Sequence, residues 1–328
     1  MVEIVIPALT LSKLRVLDVI DASLSNISRL WSLKKFRLWN GTILNRGPET
    51  LEILLQSLTE MNIQPDLFKL LSRELANERD VPRPGLRVFR CARFPFRRSF
   101  APSITQRFLA SHHLELRDSP SKVDEFFVNE AVKVLDLSRC QHLRRVVVSP
   151  STRTGRRFLR ANLSLTHLED YSPFRHIEKL VLAFCPTVTD ASIFADIPFL
   201  NLYGCENIRN FRGLGPSQKY LDLNGCVHLQ NSDLLGMGDV EFLNLSHCSN
   251  ITDVSPLTNN FFLFLEYCHN LQSVILKGSN FVLVSLKKSR LVNSVTLCGK
   301  IQSLHVEDCP ELRKLQDSKD ILQILFCS

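Results

Sequence analysis

Ten cysteines have the widest chemical repertoire in this chain, at positions 91, 140, 185, 205, 226, 248, 268, 298, 309 and 327. A thiolate can ligate zinc, attack an electrophile or pair as a disulfide, and each use has its own spacing. A structural zinc site needs close pairs such as C-x2-C, and a disulfide framework belongs to small secreted chains. Here Cys185, Cys205, Cys226, Cys248 and Cys268 succeed one another at steps of 20, 21, 22 and 20 residues. Cys309 follows Cys268 by 41 residues, with Ser289 near the middle of that gap. Such regularity marks a repeat rather than a metal or redox centre. Cys140-x-His142 and Cys226-x-His228 invite a metal reading, but a cysteine pointing into a repeat core cannot share a ligand with the turn that follows it. No metal or other cofactor is expected. No G-x4-G-K-[ST], G-x-S-x-G or H-E-x-x-H occurs either, so no catalytic residue is assigned and the chain is read as not an enzyme.

The residues around each cysteine repeat as well. Val240, Leu243, Leu245, Cys248 and Ile251 spell φxxLxLxxCxxφ, where φ is apolar. The same frame fits Ile177 to Val188, Ile197 to Ile208, Ile301 to Leu312 and Val132 to Leu143, and it runs through Leu221–Leu229 and Leu263–Leu271. Two leucines separated by one residue share a face of a short strand. One such strand cannot bury that face alone, whereas copies stacked side by side make a parallel sheet over a continuous core. The cysteine is then a small inward hydrophobe at the turn leaving the strand. Rows of unpaired thiols imply a reducing compartment, so the expected location is intracellular, cytoplasmic or nuclear.

With the cysteine where asparagine often stands, the chain resembles the leucine-rich repeat superfamily, in the cysteine-containing LxxLxLxxC type of F-box and protozoan proteins. The stretch Asn250-Ile251-Thr252-Asp253-Val254-Ser255-Pro256-Leu257 resembles a link common in that group. The resemblance implies an α/β repeat solenoid over residues 1–328: a leucine-rich repeat horseshoe with a parallel concave sheet and an irregular or short-helical convex side. The repeats are clearest at 130–315, and about a dozen copies are expected.

Weaker copies extend the array. Leu86, Val88, Cys91, Phe94 fits the frame, as does Leu114, Leu116 with Ser119 in the cysteine place. Leu14, Leu17, Val19 and Leu33, Phe36, Leu38 lie 19 residues apart, and Ile321, Ile324, Phe326 begins a copy 20 residues after Leu304. Between Cys140 and Cys185 the preferred frame is Leu159, Ala161, Ser164, ahead of Leu163, Leu165, Leu168. Residues 48–79 depart from the rule. Leu51, Leu54, Leu55, Leu58 and then Leu67, Leu70, Leu71, Leu75 follow helical spacing, with Pro65 opening the second run. They read as a helical irregularity, either an insertion or the convex sides of two degenerate repeats. Pro65-Asp66-Leu67-Phe68 with Cys91-Ala92-Arg93-Phe94 also resembles an F-box over residues 64–98, with Gln64 where leucine is usual and Phe94 where tryptophan is usual. That resemblance implies an adaptor of a ubiquitin ligase as partner and a substrate-receptor role.

In this frame the residues flanking the leucines point out of the core. Phe199, Tyr220, Phe242 and Phe262 precede the first leucine in four consecutive repeats, and Phe264 lies within the fourth pair. Phe184, Tyr203, His247 and Tyr267 follow the second leucine. Aligned rings are either a protein-binding groove or a ladder whose rings stack only on one another. Asn201, Asp222 and Asn244, between the leucines, are either peptide-binding amides or a solvated polar row.

The net charge of +7 is unevenly divided: residues 1–160 carry 27 Lys and Arg against 16 Asp and Glu, and residues 161–328 carry 13 against 17. Arg83, Arg87, Arg90, Arg93, Arg97 and Arg98, interleaved with Phe89, Phe94 and Phe96, could bind RNA or another polyanion, an acidic protein, or water alone. Nucleic acid is the less favoured partner because no recognised module frames them. With 45% hydrophobic residues and no apolar run near the ~20 residues of a membrane span, a folded chain with no membrane segment is expected. Met1–Thr10 lacks the basic start of a secretion signal. The function expected is a non-catalytic protein–protein interaction module using the concave aromatic residues.

Overall fold

The computed structural model describes residues 2–5, 13–25, 30, 32–39, 43–44, 58–64, 66–68, 86–94, 111–128, 131–148, 159–278, 280–316 and 321–327. The chain divides into two compact units, Met1–Asn162 and Leu163–Ser328. In the first, the strands Val16–Ile20, Lys35–Trp39, Glu60–Ile63, Val88–Arg90, His113–Glu115, Val134–Asp136 and Arg160–Asn162 pair in parallel, each with the next. In the second, Lys179–Val181, Phe199–Asn201, Tyr220–Asp222, Phe242–Asn244, Phe262–Phe264, Phe281–Ser285, Ile301–Glu307 and Ile321–Cys327 do the same. Each unit is therefore a parallel solenoid of leucine-rich-repeat type. Several of these turns lack the leucine and cysteine marks.

The side of each turn away from this sheet changes along the chain. Short 3-10 turns occupy it at Ser172–Phe174, Ser192–Phe194 and Asn231–Gly236. Elsewhere it is strand: Glu125–Val128 pairs with Arg145–Val148, and Ser273–Leu276, Ser294–Leu297 and Lys314–Gln316 form a second parallel sheet. Asp170, Asp190 and Asp253 begin this side by accepting the backbone N–H of the serine two residues on, at 2.8 Å each. These Asx turns are the physical content of the Thr252-Asp253-Val254-Ser255 link.

The LxL leucines are buried in turn after turn, Leu180 with Leu182, Leu200 with Leu202, Leu221 with Leu223 and Leu243 with Leu245. Each strand then leaves through a β-turn closed by the cysteine N–H on the second leucine's carbonyl, as from Cys185 to Leu182 (3.1 Å) and Cys226 to Leu223 (2.9 Å). The third residue of that turn is left-handed: φ is 56° at Phe184, 67° at Gly204, 76° at Gly225, 58° at His247 and 57° at Tyr267.

The thiol completes the turn before it. Cys205 Sγ donates to Leu182 O (3.0 Å), Cys226 to Leu202 O (3.5 Å), Cys248 to Leu223 O (3.3 Å) and Cys268 to Leu245 O (3.3 Å). Cys140, Cys185 and Cys309 do the same to Leu116, Leu163 and Leu286. Ser289, in the cysteine place, donates to Leu265 O at 2.6 Å. One carbonyl thus accepts from its own turn and from the next, satisfying a polar group carried into an apolar core.

Two sequence frames need correction. Phe89, not Val88, pairs with Leu114, so Phe89 and Cys91 hold the leucine places and Phe94 the cysteine place. Both choices alternate apolar residues, and a one-residue shift exchanges the faces of a strand. What decides is an aromatic cluster: Phe68 lies 5.9 Å from Phe89 and 4.6 Å from Phe94, centroid to centroid, and all three are buried. Between Cys140 and Cys185, Ala161 pairs with Leu135, so the frame is Ala161, Leu163, Thr166, two residues from the preferred one. Thr166 is buried and its hydroxyl donates to Leu163 O, which also accepts the Cys185 thiol. Within 48–79, Glu60–Ile63 is a strand and residues 66–68 are helical. The remainder of that segment's helical reading lies outside the described residues.

Burial pushes the thiols of Cys140, Cys205 and Cys268 up to about 12. A group whose value is raised on folding stabilises the fold fully below its ordinary value of 9.0 and loses that contribution as pH climbs toward 12. Resistance to urea should therefore weaken between pH 9 and 12, less steeply in Cys205→Ser. Replacing Cys248 by alanine should cost about 1–3 kcal/mol, and by serine less, because serine keeps a donor for Leu223 O. Urea midpoints in the reverse order would show that burying a hydroxyl costs more than its bond to Leu223 O returns.

Candidate functional site

In the second unit the outward residues fall into columns fixed by strand register. Phe199, Tyr220, Phe242 and Phe262 are direct neighbours on successive strands. Tyr220 and Phe242 stack with centroids 4.4 Å apart and planes 10° from parallel, and Phe242 lies 5.2 Å from Phe264 and 6.4 Å from Phe262. Phe199 and Phe262 remain 43% and 38% exposed. Tyr220 and Phe242 therefore stack at the middle of the column, and Phe199 and Phe262 at its ends present surface to water.

A second ring column runs along the exit turns. His247 stacks on Tyr267 at 4.3 Å and 14°, and the Lys288 ammonium lies 5.4 Å from the Tyr267 ring centre. Phe184 belongs to this column by its left-handed turn position, but Tyr203 does not. Tyr203 stands one residue earlier in its turn, and Gly204 occupies the ring position. The exchange has a steric cause: a Cβ at Gly204 would lie 2.5 Å from Phe184 Cδ1, so the Phe184 ring occupies that space and packs edge-on against Tyr203 at 4.7 Å. Phe184 and Tyr203 are 45% and 38% exposed.

Between the columns, Asn201, Asp222 and Asn244 serve the backbone. Each side-chain oxygen accepts the N–H two residues on, from Tyr203, Asn224 and Ser246, at 3.0–3.1 Å. Asn201 Nδ2 also donates to Asp222 Oδ2 at 3.1 Å. Burial raises the Asp222 carboxyl above its usual range despite hydrogen bonds from the Asn224 N–H, Tyr220, Asn201 and Asn244. This row is a hydrogen-bonded ladder that shapes the turns, and the rings are what the face presents.

The corresponding columns of the first unit carry charge. Asp18, Arg37, Asn62, Arg90, Glu115, Asp136 and Asn162 are successive neighbours. Arg90 bridges Glu60 (2.5 Å) and Glu115 (3.0 Å), and Arg117 bridges Glu115 (2.7 Å) and Asp136 (2.8 Å). For Glu115, burial raises the carboxyl, but hydrogen bonds from His113 and Arg90 with the charges of Arg90 and Arg117 outweigh it and bring it to about 2. Of the basic residues proposed for a polyanion, Arg90 is thus held by two carboxylates, Arg87 and Arg93 are exposed, and Arg83, Arg97 and Arg98 lie outside the described residues. The charge ladder is readable in the sequence only once the repeats are aligned strand by strand.

Two further groups escaped the sequence reading. Gln218 and Asn260 stand where the frame wants an apolar residue, and both are buried. Gln218 Nε2 reaches Ala195 O (2.6 Å), and Asn260 Nδ2 reaches Met237 O (2.9 Å) and Val240 O (2.8 Å). Asparagine plays a similar part outside the exit turns. Asn207, Asn250 and Asn270, each two residues after a cysteine, donate to the carbonyls of Pro186, Val227 and Ser249 on the turns before them. His228 takes that place in its own turn, and the Cys226 thiol is buried, so Cys226-x-His228 forms no ligand pair. No group of three His, Cys, Asp or Glu is placed to hold a metal among the described residues. In the F-box-like segment, Val88–Arg90 is a strand and Arg93 is left-handed with φ 56°, where an F-box would end in a helix. No helix among the described residues is long and apolar enough to cross a membrane.

No family model matches the chain, and no curated protein matches it. Among solved structures, a chain of the "Crystal structure of TLR13-ssRNA13 complex" matches at a TM-score of 0.42 with 15% sequence identity. The match covers 90% of this chain and 56% of that one, so this chain spans little more than half of its length.

Glu115→Gln should lower stability at neutral pH by about 1–3 kcal/mol, since it takes one of two carboxylates from the half-buried Arg90 guanidinium. A carboxyl lowered on folding stabilises above its ordinary value of 4.5 and loses that contribution as pH falls toward 2. The gap between wild type and variant in urea midpoint should accordingly close between pH 4.5 and 2. A constant gap would place the effect in packing rather than charge.

Proposed function

We propose that this chain is a non-catalytic protein-interaction module that captures its partner on the ring-bearing face of the second unit. The observation that carries this reading is the coexistence of rigidity and exposure. Phe184, Phe199, Tyr203 and Phe262 each leave more than a third of their surface in water, and Phe184 packs on Tyr203 while Phe262 lies beside the stacked Tyr220–Phe242 pair. Soluble proteins seldom leave so many aligned rings exposed without a use. Rings held by stacking lose little freedom on binding, so their burial is turned efficiently into affinity. Phe184, Phe199, Tyr203, Tyr220, Phe242, His247, Phe262, Phe264 and Tyr267 are the proposed contact residues.

A non-catalytic role agrees with the state of the nucleophiles. The repeat thiols are buried donors held protonated well past neutral pH, not poised thiolates. Their number and burial also favour a reducing location.

The test is a chain with Phe199, Tyr220, Phe242 and Phe262 all changed to alanine, compared with wild type in affinity purification with mass spectrometry. A partner recovered by wild type should be lost by the variant, while far-UV circular dichroism stays unchanged. The variant should be less stable by about 1–3 kcal/mol, since its stacked pairs are removed. Identical recovery by a folded variant would refute this surface.

A further inference from the structure

The ring column of the exit turns is interrupted at one strand. Phe184 leans over Gly204, and His247 stacks on Tyr267, but the strand between them brings Gly225 to the ring position. Where a Cβ of Gly225 would sit, the described atoms within 4 Å are Gly204 Cα at 3.5 Å and Gly204 N at 3.7 Å, both backbone. Parallel strands are ~4.8 Å apart, so the Phe184 ring above Gly204 and the His247 ring lie about two strand spacings from each other. A flat group seated above Gly225 would stand ~5 Å from each, close to the 4.3 Å that His247 and Tyr267 already keep.

Charge narrows what that group is. Residues 163–270, which hold both ring columns, contain five Lys and Arg against twelve Asp and Glu, a net charge of −7. Glu206 is exposed two residues past Gly204, and Glu266 is half-buried next to Tyr267. A cation that is also planar matches both the field and the space. A guanidinium stacks face to face on rings, whereas an ammonium is compact and strongly hydrated.

We propose that the gap above Gly225 receives the guanidinium of an arginine side chain from a basic segment of the partner, stacked between Phe184 and His247. This rests on reading the ring-bearing face as the partner surface and adds the chemical class of what it takes.

The test uses the full chain labelled with 15N-glycine and titrated with acetyl-Gly-Arg-Gly-amide, its lysine counterpart and its citrulline counterpart. The Gly225 and Gly204 amide signals should move with the arginine peptide and respond roughly fivefold more weakly to lysine and citrulline. Gly225→His, which sets a ring in the gap at a turn position where His247 is already tolerated, should abolish the response. Phe184→Ala, which removes one wall without a backbone change, should weaken it even if Gly225→His fails to fold. No response at Gly225, an equal response to citrulline, or an unaltered response in Phe184→Ala would overturn the proposal. In the purification experiment, a partner lost by the four-ring variant but kept by folded Gly225→His would sink the arginine gap alone. A partner kept by both would sink the surface as well.

Discussion

A hydrogen bond between a thiol and a leucine carbonyl holds the stacked turns to one another. Each turn must bend its backbone at the end of a strand, inside an apolar core where water cannot reach the carbonyl. The turn's own N–H satisfies that carbonyl once, and the next turn supplies the second donor. The donor must be small, apolar enough to be buried and short enough to reach back one strand. Cysteine meets all three conditions, and Ser289 shows that a hydroxyl fills the same place. A larger or charged residue there would separate the turns or bury an unpaired group. The ~21-residue spacing is the chain length needed to bring that donor under the previous carbonyl.

Because the inward residues are so constrained, the outward columns are free to differ. One backbone scheme bears a chain of alternating ions on the first unit and stacked rings on the second. The ionic columns satisfy one another, and Glu115 is the most strongly held member. The ring columns satisfy one another only in part, since stacking covers a face of a ring and leaves its edge and outer face in water. That difference is why the proposed partner surface is placed on the second unit.

The repeat was legible because burial acts at fixed places: leucine, leucine and cysteine recur wherever the frame is intact, from Val132 to Leu312. It became illegible where another residue could do the same job. Phe94 fills a cysteine place with help from Phe68, and Ala161 fills a leucine place beside Leu163. Gln218 and Asn260 break the apolar pattern yet are buried, since their amides bond the carbonyls of the preceding turn. No local rule predicts those exceptions, because each is compensated by a residue about 20 positions away.

From the sequence alone came the solenoid, the inward thiols and the outward ring column from Phe199 to Phe262, all of which follow from alternation along a strand and a constant repeat length. Tertiary structure decided what depends on neighbours across strands. It set Tyr203 apart from Phe184, turned Asn201, Asp222 and Asn244 toward the backbone, and paired Arg90 with Glu60 and Glu115. It also left the ring column open at Gly225. Periodicity states which way a side chain faces, but the residues beside it are set by register, and register depends on the length of every loop between.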